Sequence, residues 1–467
     1  MSKTIIISNR LPVQLQISEG KIEAIPSVGG LATGMKSVHQ EGESLWIGWS
    51  GLTREEIPES LEPEIDAALA DHGCSKVPLT QKEVSGFYFG FSNRTIWPLF
   101  HYFTEHVTYS EVAWKAYVKI NRLYAEKILE ILQEGDILWV HDYHLIPLAQ
   151  ELRRAGITQP IGFFLHVPFP SYEAFRAVPG HEFLLRALTA YDVVGFHTPR
   201  DLKAFRTCLE EPIVDATFID DTRVRVGDGE LIADVFPIGI DVDEIQKLSS
   251  DSQSMKTVQR MVSSLDGRQL LIGVDRLDYS KGLKLRLRSY ERLLERYPNA
   301  QRNVTFIQIA PPTRTGVRAY DEIRSELEQT SGHINGRFAE SDWVPIRYLN
   351  KGVDRKPLMG FLRNADVGLV TPVRDGMNLV AKEYVACRTD STGALVLSEF
   401  TGSAEQLGDA WMVNPYDIAG LKESIRQATR AGEEEHTRRM TSMRHVVFEQ
   451  NVQRWVRDFL SSLEEPR

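Results

Sequence analysis

The chain has 467 residues, 42% hydrophobic and 25% charged, enough for two domains that each bury a full core. Its net charge of −10 disfavours non-specific binding to nucleic acid or anionic membrane, so an anionic substrate needs a local basic cluster working against the overall field. No apolar run reaches the ~18 residues of a membrane span. MSKTIIISNR does not read as a signal peptide, and Cys74, Cys208 and Cys387 are scattered singly, which points to a reducing, cytoplasmic setting and away from zinc or disulfides.

Thr4 to Ser8 (TIIIS) is predicted as a buried strand. Arg10 follows at its carboxyl end, where open α/β sheets bind ligands; a plain surface arginine is the alternative. Gly29 and Gly30 precede a helical pattern and could present amides to a phosphate, although a lone glycine pair is a weak signal. Leu45 to Gly51 and Gly90 to Tyr102 are aromatic-rich. Their rings suit either a sugar face or plain core.

Apolar residues at helical spacing predict a long helix from Glu111 to Glu134, ended by Gly135. A strand, Asp136 to Val140, then leads into His141-Asp142-Tyr143-His144. A metal reading of that cluster lacks a further ligand pair, so Asp142 is expected to face a ligand instead. Strands at 161–165 and 192–196 alternate with helices at 147–154, 182–190 and 200–209, which predicts a parallel sheet with helices on both faces. His166 stands at the matching end of the next strand, as a ligand contact or a core histidine. Gly227-Asp228-Gly229 signals a hairpin, and a domain boundary is placed at residue 238. Asp241-Val242-Asp243 resembles a metal-holding triplet but is read as the acidic start of a helix.

The second half repeats the pattern. Strands are predicted at 269–274, 304–309, 344–349, 366–372, 394–397 and 411–413. Helices are predicted at 284–297, 317–329 and 355–364, with a helical tail from 418 to 463 broken near Gly432. Arg276, Lys281 and Arg314 follow successive strands, on one sheet edge. They are either solvated or a cluster able to balance a diphosphate. Arg374 to Glu383 is predicted to open a helix at Asp375, with Gly376 giving close backbone approach and Glu383 a little over two turns on. An ordinary capped helix is the alternative.

Together, SNR (8–10), VGGLATG (28–34), WIGWSG (46–51), FSN and WPLFHY (91–102), WVHDYHL (139–145), FFLHVPFP (163–170), RLDYSKG (276–282), RDGMNLVAKEY (374–384) and VNPYD (413–417) run in one order along the chain. In that order they resemble the trehalose-6-phosphate synthase family of retaining glucosyltransferases. The resemblance implies the GT-B architecture: two Rossmann-like parallel-sheet domains facing across a cleft. Residues 1–238 would bind the acceptor and 239–450 the nucleotide sugar, with 451–467 a helix crossing back to the first domain.

The implied substrates are UDP-glucose and glucose 6-phosphate, with no cofactor, metal, nucleic acid or membrane partner. A homo-oligomer is left open, and so is the donor base. By motif, Arg10 would hold the acceptor phosphate with Arg314 assisting. Trp49, Tyr88 and Trp97 would shape the acceptor pocket, and Asp142 would bind acceptor hydroxyls. Gly30 would bring its amide to the donor side, and His166 would contact the donor glucose. Arg276 and Lys281 would hold the diphosphate. Asp375 and the amides of Gly376, Met377, Asn378, Leu379 and Val380 would take the glucose and phosphates, and Glu383 the ribose. Asp142, His166, Arg276, Lys281 and Asp375 are thus the expected catalytic set. The competing readings are transfer to another phosphorylated acceptor, such as glycerol 3-phosphate, and a non-catalytic sugar-phosphate sensor.

Overall fold

The computed structural model describes residues 3–18, 21–26, 44–313 and 318–465. It divides into two compact units, Met1–Pro237 with Trp455–Arg467, and Ile238–Arg454. Each is a Rossmann-like sheet flanked by helices.

The strands of the first unit are β1 (Thr4–Arg10), β2 (Val13–Ser18), β3 (Lys21–Pro26), β4 (Ser44–Trp49), β5 (Cys74–Lys76), β6 (Ile137–His141), β7 (Ile161–Phe164), β8 (Val193–Phe196), β9 (Ala216–Phe218), β10 (Arg223–Val226) and β11 (Gly229–Val235). The main sheet runs β5-β4-β1-β6-β7-β8-β11-β10-β9, and β2 with β3 forms a separate antiparallel ribbon. Pairing is parallel from β5 to β11, while β10 runs antiparallel to both β9 and β11 across the turn at Gly227-Asp228. Ile5, Ile6 and Ile7 are buried on both faces, which is why a short β-branched run makes a central strand.

Several predicted boundaries move. The helix expected to reach Glu134 stops at Leu129, and the helix expected over 317–329 runs from Arg318 to Phe338. The tail breaks twice, giving helices Ile418–Arg430, Glu433–Glu449 and Val452–Glu464. The last of these supplies Trp455 and Phe459 to the first unit. Phe459 stacks on Trp139 with ring centroids 4.7 Å apart and packs against Phe164 and Phe236.

The second unit holds β12 (Gln269–Val274), β13 (Val304–Ile309), β14 (Ile346–Leu349), β15 (Val367–Val370), β16 (Ala394–Ser398) and β17 (Trp411–Val413), all parallel, in the order β14-β13-β12-β15-β16-β17. Alternate residues serve different cores. Leu270, Ile272, Leu395 and Leu397 face one side, and Leu271, Phe306, Ala394 and Val396 the other. Asp241 caps the helix Val242–Ser252, its carboxylate accepting the Glu244 N–H at 2.9 Å.

Lys382, on the helix Leu379–Cys387, is buried and donates to the Ile238 carbonyl at 2.6 Å. Burial lowers its pKa to about 7. The unfolded chain, with a lysine pKa near ~10.4, binds the proton more tightly, so stability rises as pH climbs from about 7 towards that value. Between pH 7 and 9, wild type should gain about 2 kcal/mol relative to Lys382→Met in urea unfolding. Parallel pH profiles for the two proteins would show that Lys382 does not titrate in that range.

Candidate functional site

The first unit gathers one set of residues at the carboxyl ends of its central strands. Arg10 ends β1, Trp49 ends β4 and the two strands are neighbours. The Arg10 guanidinium carbon lies 4.6 Å from the Trp49 ring centroid and 5.6 Å from that of Tyr88. Trp49 is fixed by donating its indole N–H to the Leu52 carbonyl at 2.8 Å. Arg10 itself is exposed. The result is a cation aimed by two aromatic faces with its planar donors open to solvent, a geometry that suits a phosphate.

Tyr88 reaches this place from a wide, π-type helix, Ser85–Ile96, continued by the turn Trp97–Phe100. Such helices are rare and frequent at functional sites. The neighbouring helix Glu111–Leu129 approaches so closely that a Cβ on Gly90 would lie 2.9 Å from that of Ala113. Asn93 donates to the Tyr88 carbonyl at 2.8 Å and accepts from the Tyr143 hydroxyl at 3.0 Å, which fixes the register. Trp97 opens that turn. It is buried, with its ring 4.1 Å from His101 and 5.9 Å from Tyr143.

Asp142 follows β6 at φ 76° and ψ 164°, a positive-φ conformation uncommon for a non-glycine residue. Its backbone N–H donates to Phe164 at 2.8 Å, and its carboxylate accepts the His166 N–H at 3.3 Å. The two residues expected at neighbouring strand ends are therefore joined. His166 is largely buried, and burial lowers its pKa to about 3, so the ring is neutral. Its Nε2 lies 3.1 Å from His141 Nδ1.

The second unit gathers the other set. After β12 the chain makes a single tight turn, Tyr279–Lys281, capped by Asp278, whose carboxylate accepts the Ser280 N–H at 2.9 Å. Gly282 follows at φ 64°, with its Cα against the Thr371 carbonyl, leaving no room for a side chain. Val373 N–H donates to the Ser280 carbonyl at 2.8 Å, so the loops after β12 and β15 are tied together. Across that tie, Lys281 Nζ meets Asp375 Oδ2 at 2.5 Å, and the same oxygen accepts from Asn378 Nδ2 at 2.9 Å. Arg276 lies on the same loop with its side chain exposed.

The helix expected to open at Asp375 opens at Leu379, with Asn378 as its N-cap at φ 66°. The reason is tertiary. The Asp375 carboxylate is taken by Lys281 and Asn378, and its N–H donates to Phe400 at 3.1 Å, so Asp375 to Asn378 stay as loop. The first turn from Leu379 still leaves backbone amides without intrahelical partners, next to the cation Lys281. Glu383 lies on this helix, mostly buried, with Arg355 Nη1 at 3.6 Å; Arg355 also pairs with Glu244 at 3.2 Å. Burial raises the Glu383 pKa, and Arg355 works against that rise. Gly30 and Arg314 lie outside the described residues.

A family model for glycosyltransferase family 20 matches residues 2–465. The chain belongs to glycosyltransferase family 20. It is 40% identical to a trehalose-6-phosphate synthase of Sinorhizobium fredii, over 99% of this chain and 98% of that protein. A UDP-forming α,α-trehalose-phosphate synthase from Burkholderia xenovorans in complex with glucose-6-phosphate superposes with TM-score 0.90 at 40% identity, covering 99% of this chain and 100% of that one. An Escherichia coli structure bound with UDP-2-fluoro glucose superposes with TM-score 0.89 at 37% identity, covering 100% of both chains.

Two parts of this family 20 glycosyltransferase escaped sequence reasoning. Arg286 is completely buried behind Lys281 and donates to Asp275 at 2.6 Å, Thr371 Oγ1 at 2.9 Å and Gln308 Oε1 at 2.9 Å. Its signal was available, because it interrupts the apolar stripe Leu283, Leu287, Tyr290 of the helix Leu283–Arg296. Arg355 had no comparable signal: it opens the helix Arg355–Asn364, and only the fold brings it to Glu383.

Proposed function

We propose that this glycosyltransferase moves glucose from UDP-glucose to glucose 6-phosphate with retention, giving α,α-trehalose 6-phosphate and UDP. The reading is carried by Arg10 set over Trp49 and Tyr88, a phosphate grip beside a sugar-stacking face, in a chain that matches trehalose-6-phosphate synthases along its length. In this reading Arg10 holds the acceptor phosphate, Trp49, Tyr88 and Trp97 shape its pocket, and Asp142 takes acceptor hydroxyls. His166 contacts the donor glucose. Arg276 and Lys281 meet the diphosphate, Asp375 and the amides of Gly376 to Val380 hold glucose and phosphates, and Glu383 takes the ribose.

Retention by double displacement needs a free carboxylate nucleophile. Asp375 is held by Lys281 and Asn378, and Asp142 by the His166 amide, which favours same-face displacement instead. The bond from C1 to the leaving phosphate oxygen breaks as the acceptor oxygen bonds to the same face of C1. The acceptor proton passes to the departing diphosphate, and Lys281 and Arg276 stabilise its charge. Cations in that role predict that EDTA leaves the rate unchanged; loss on chelation and recovery with magnesium would contradict it.

The test is a panel of UDP-, GDP- and ADP-glucose against glucose 6-phosphate and glycerol 3-phosphate, read by released nucleotide. Best turnover with UDP-glucose and glucose 6-phosphate supports the reading, and preference for glycerol 3-phosphate sinks the acceptor assignment. Arg10→Ala should raise KM for glucose 6-phosphate by about 10- to 100-fold, the size of one lost hydrogen bond to a charged group, with a smaller change in kcat. An unaltered KM would take Arg10 out of the acceptor site.

A further inference from the structure

His141 ends β6 and lies in register with Phe164 on the adjacent strand β7, which brings its ring to His166. His141 Nδ1 and His166 Nε2 are 3.1 Å apart, so one proton lies between two imidazoles. Among the described residues, the other nitrogen of His141, Nε2, is sealed from solvent with no hydrogen-bond partner. The His141 ring packs on two indoles, its centroid 4.7 Å from that of Trp139 and 6.3 Å from that of Trp455, the latter from the last helix. Burial pulls the pKa of both histidines down, and His166 adds to the effect on His141, so each ring is neutral with one proton to place.

Two placements exist. If His166 Nε2 carried the shared proton, the proton of His141 would sit on Nε2, an orphaned N–H against indole rings. If His141 Nδ1 carries it, His141 Nε2 is only a bare lone pair. Buried N–H groups without acceptors are rarer in folded proteins than acceptors without donors, which selects the second arrangement. His166 Nε2 then accepts, and the proton of His166 stands on Nδ1. With Nε2 engaged, Nδ1 is the ring nitrogen left to meet a ligand, on a residue that is not fully sealed. The backbone is fixed too, because the His166 N–H is held by the Asp142 carboxylate at 3.3 Å.

We infer that His141 is a positioning residue that locks His166 in the Nδ1–H tautomer, so that His166 donates a hydrogen bond to an oxygen of the transferred sugar. The identity of that oxygen's owner, the donor glucose, rests on the function proposed above; the tautomer does not. His141 touches no substrate in this scheme. Its effect passes through the proton position of its neighbour, as when a partner fixes the tautomer of a metal-bound imidazole.

The experiment combines nitrogen NMR of protein labelled in histidine with steady-state kinetics on wild type, His141→Leu and His141→Asn. In wild type, His166 should show a protonated Nδ1 and an unprotonated Nε2. His141→Leu should lose that fixed tautomer and at least about tenfold in kcat, with KM for the acceptor little changed. His141→Asn keeps an amide donor towards His166 Nε2 and should recover most of the loss together with the tautomer. A wild-type His166 protonated on Nε2 overturns the inference, as does equal impairment of the leucine and asparagine variants or an unchanged kcat in His141→Leu. Should His141→Leu fail to fold, the wild-type spectrum and the asparagine variant decide. Absence of glucose transfer by wild type would sink the proposed function and leave the spectral result standing.

Discussion

Replacing Lys281 with alanine is expected to lower kcat for nucleotide release by more than about 10²-fold, the size of losing one preorganised charge contact to a developing anion. The side chain is nearly buried, is held by the turn Tyr279–Lys281 and meets Asp375 at 2.5 Å. A lysine so placed has little rotamer freedom left to lose when substrate arrives. In the proposed arrangement the same substitution leaves the Asp375 carboxylate beside the diphosphate without its cation, so donor affinity should fall as well. Initial rates of UDP release at saturating donor measure the first effect and donor KM the second. A Lys281→Ala enzyme with near-normal kcat would remove Lys281 from the mechanism.

The second large effect is one of stability. Arg286→Leu should destabilise the protein by about 3–5 kcal/mol, because breaking a buried pair strands its partner. The stranded group is Asp275, whose pKa is already raised by burial and is opposed first by Arg286. Thr371 and Gln308 lose their donor in the same event. Urea unfolding would read the loss. Adding Asp275→Asn to Arg286→Leu should return part of it, since the uncompensated charge is gone. A midpoint that does not move in Arg286→Leu would show the pair to be dispensable.

The alternation of strand and helix was legible because the central parallel strands are covered on both faces. Runs such as TIIIS and QLLIGV therefore stand out as apolar β-branched stretches. Arg10, Asp142, His166 and Lys281 were legible for a related reason, since each lies just beyond such a run, and polar residues there face the carboxyl edge. What was not legible depends on partners distant in sequence. Asp375 looks like a helix cap until Lys281, 94 residues earlier, claims its carboxylate. Tyr88 was reached only through the family resemblance: it lies on a π-type helix whose period differs from 3.6, so a search at ordinary helical spacing passes over it. Arg286 was visible as an anomaly on an apolar face, but its four-residue network was not.

The return of the last helix to the first unit bears on how the polypeptide comes into being. Trp455, Phe459 and Leu463 are buried there, and Phe459 covers Gly162 and Gly195 on β7 and β8. The second unit is one unbroken segment, Ile238–Arg454, whereas the first is assembled from both ends of the chain. Growing from the ribosome, the first sheet must therefore hold Trp139, Phe164 and Phe236 uncovered until Phe459 emerges. The later-made unit can close on itself sooner than the earlier-made one. A nascent chain halted before Trp455 would expose that aromatic surface to chaperones, so the order of synthesis and the order of completion are reversed in this protein.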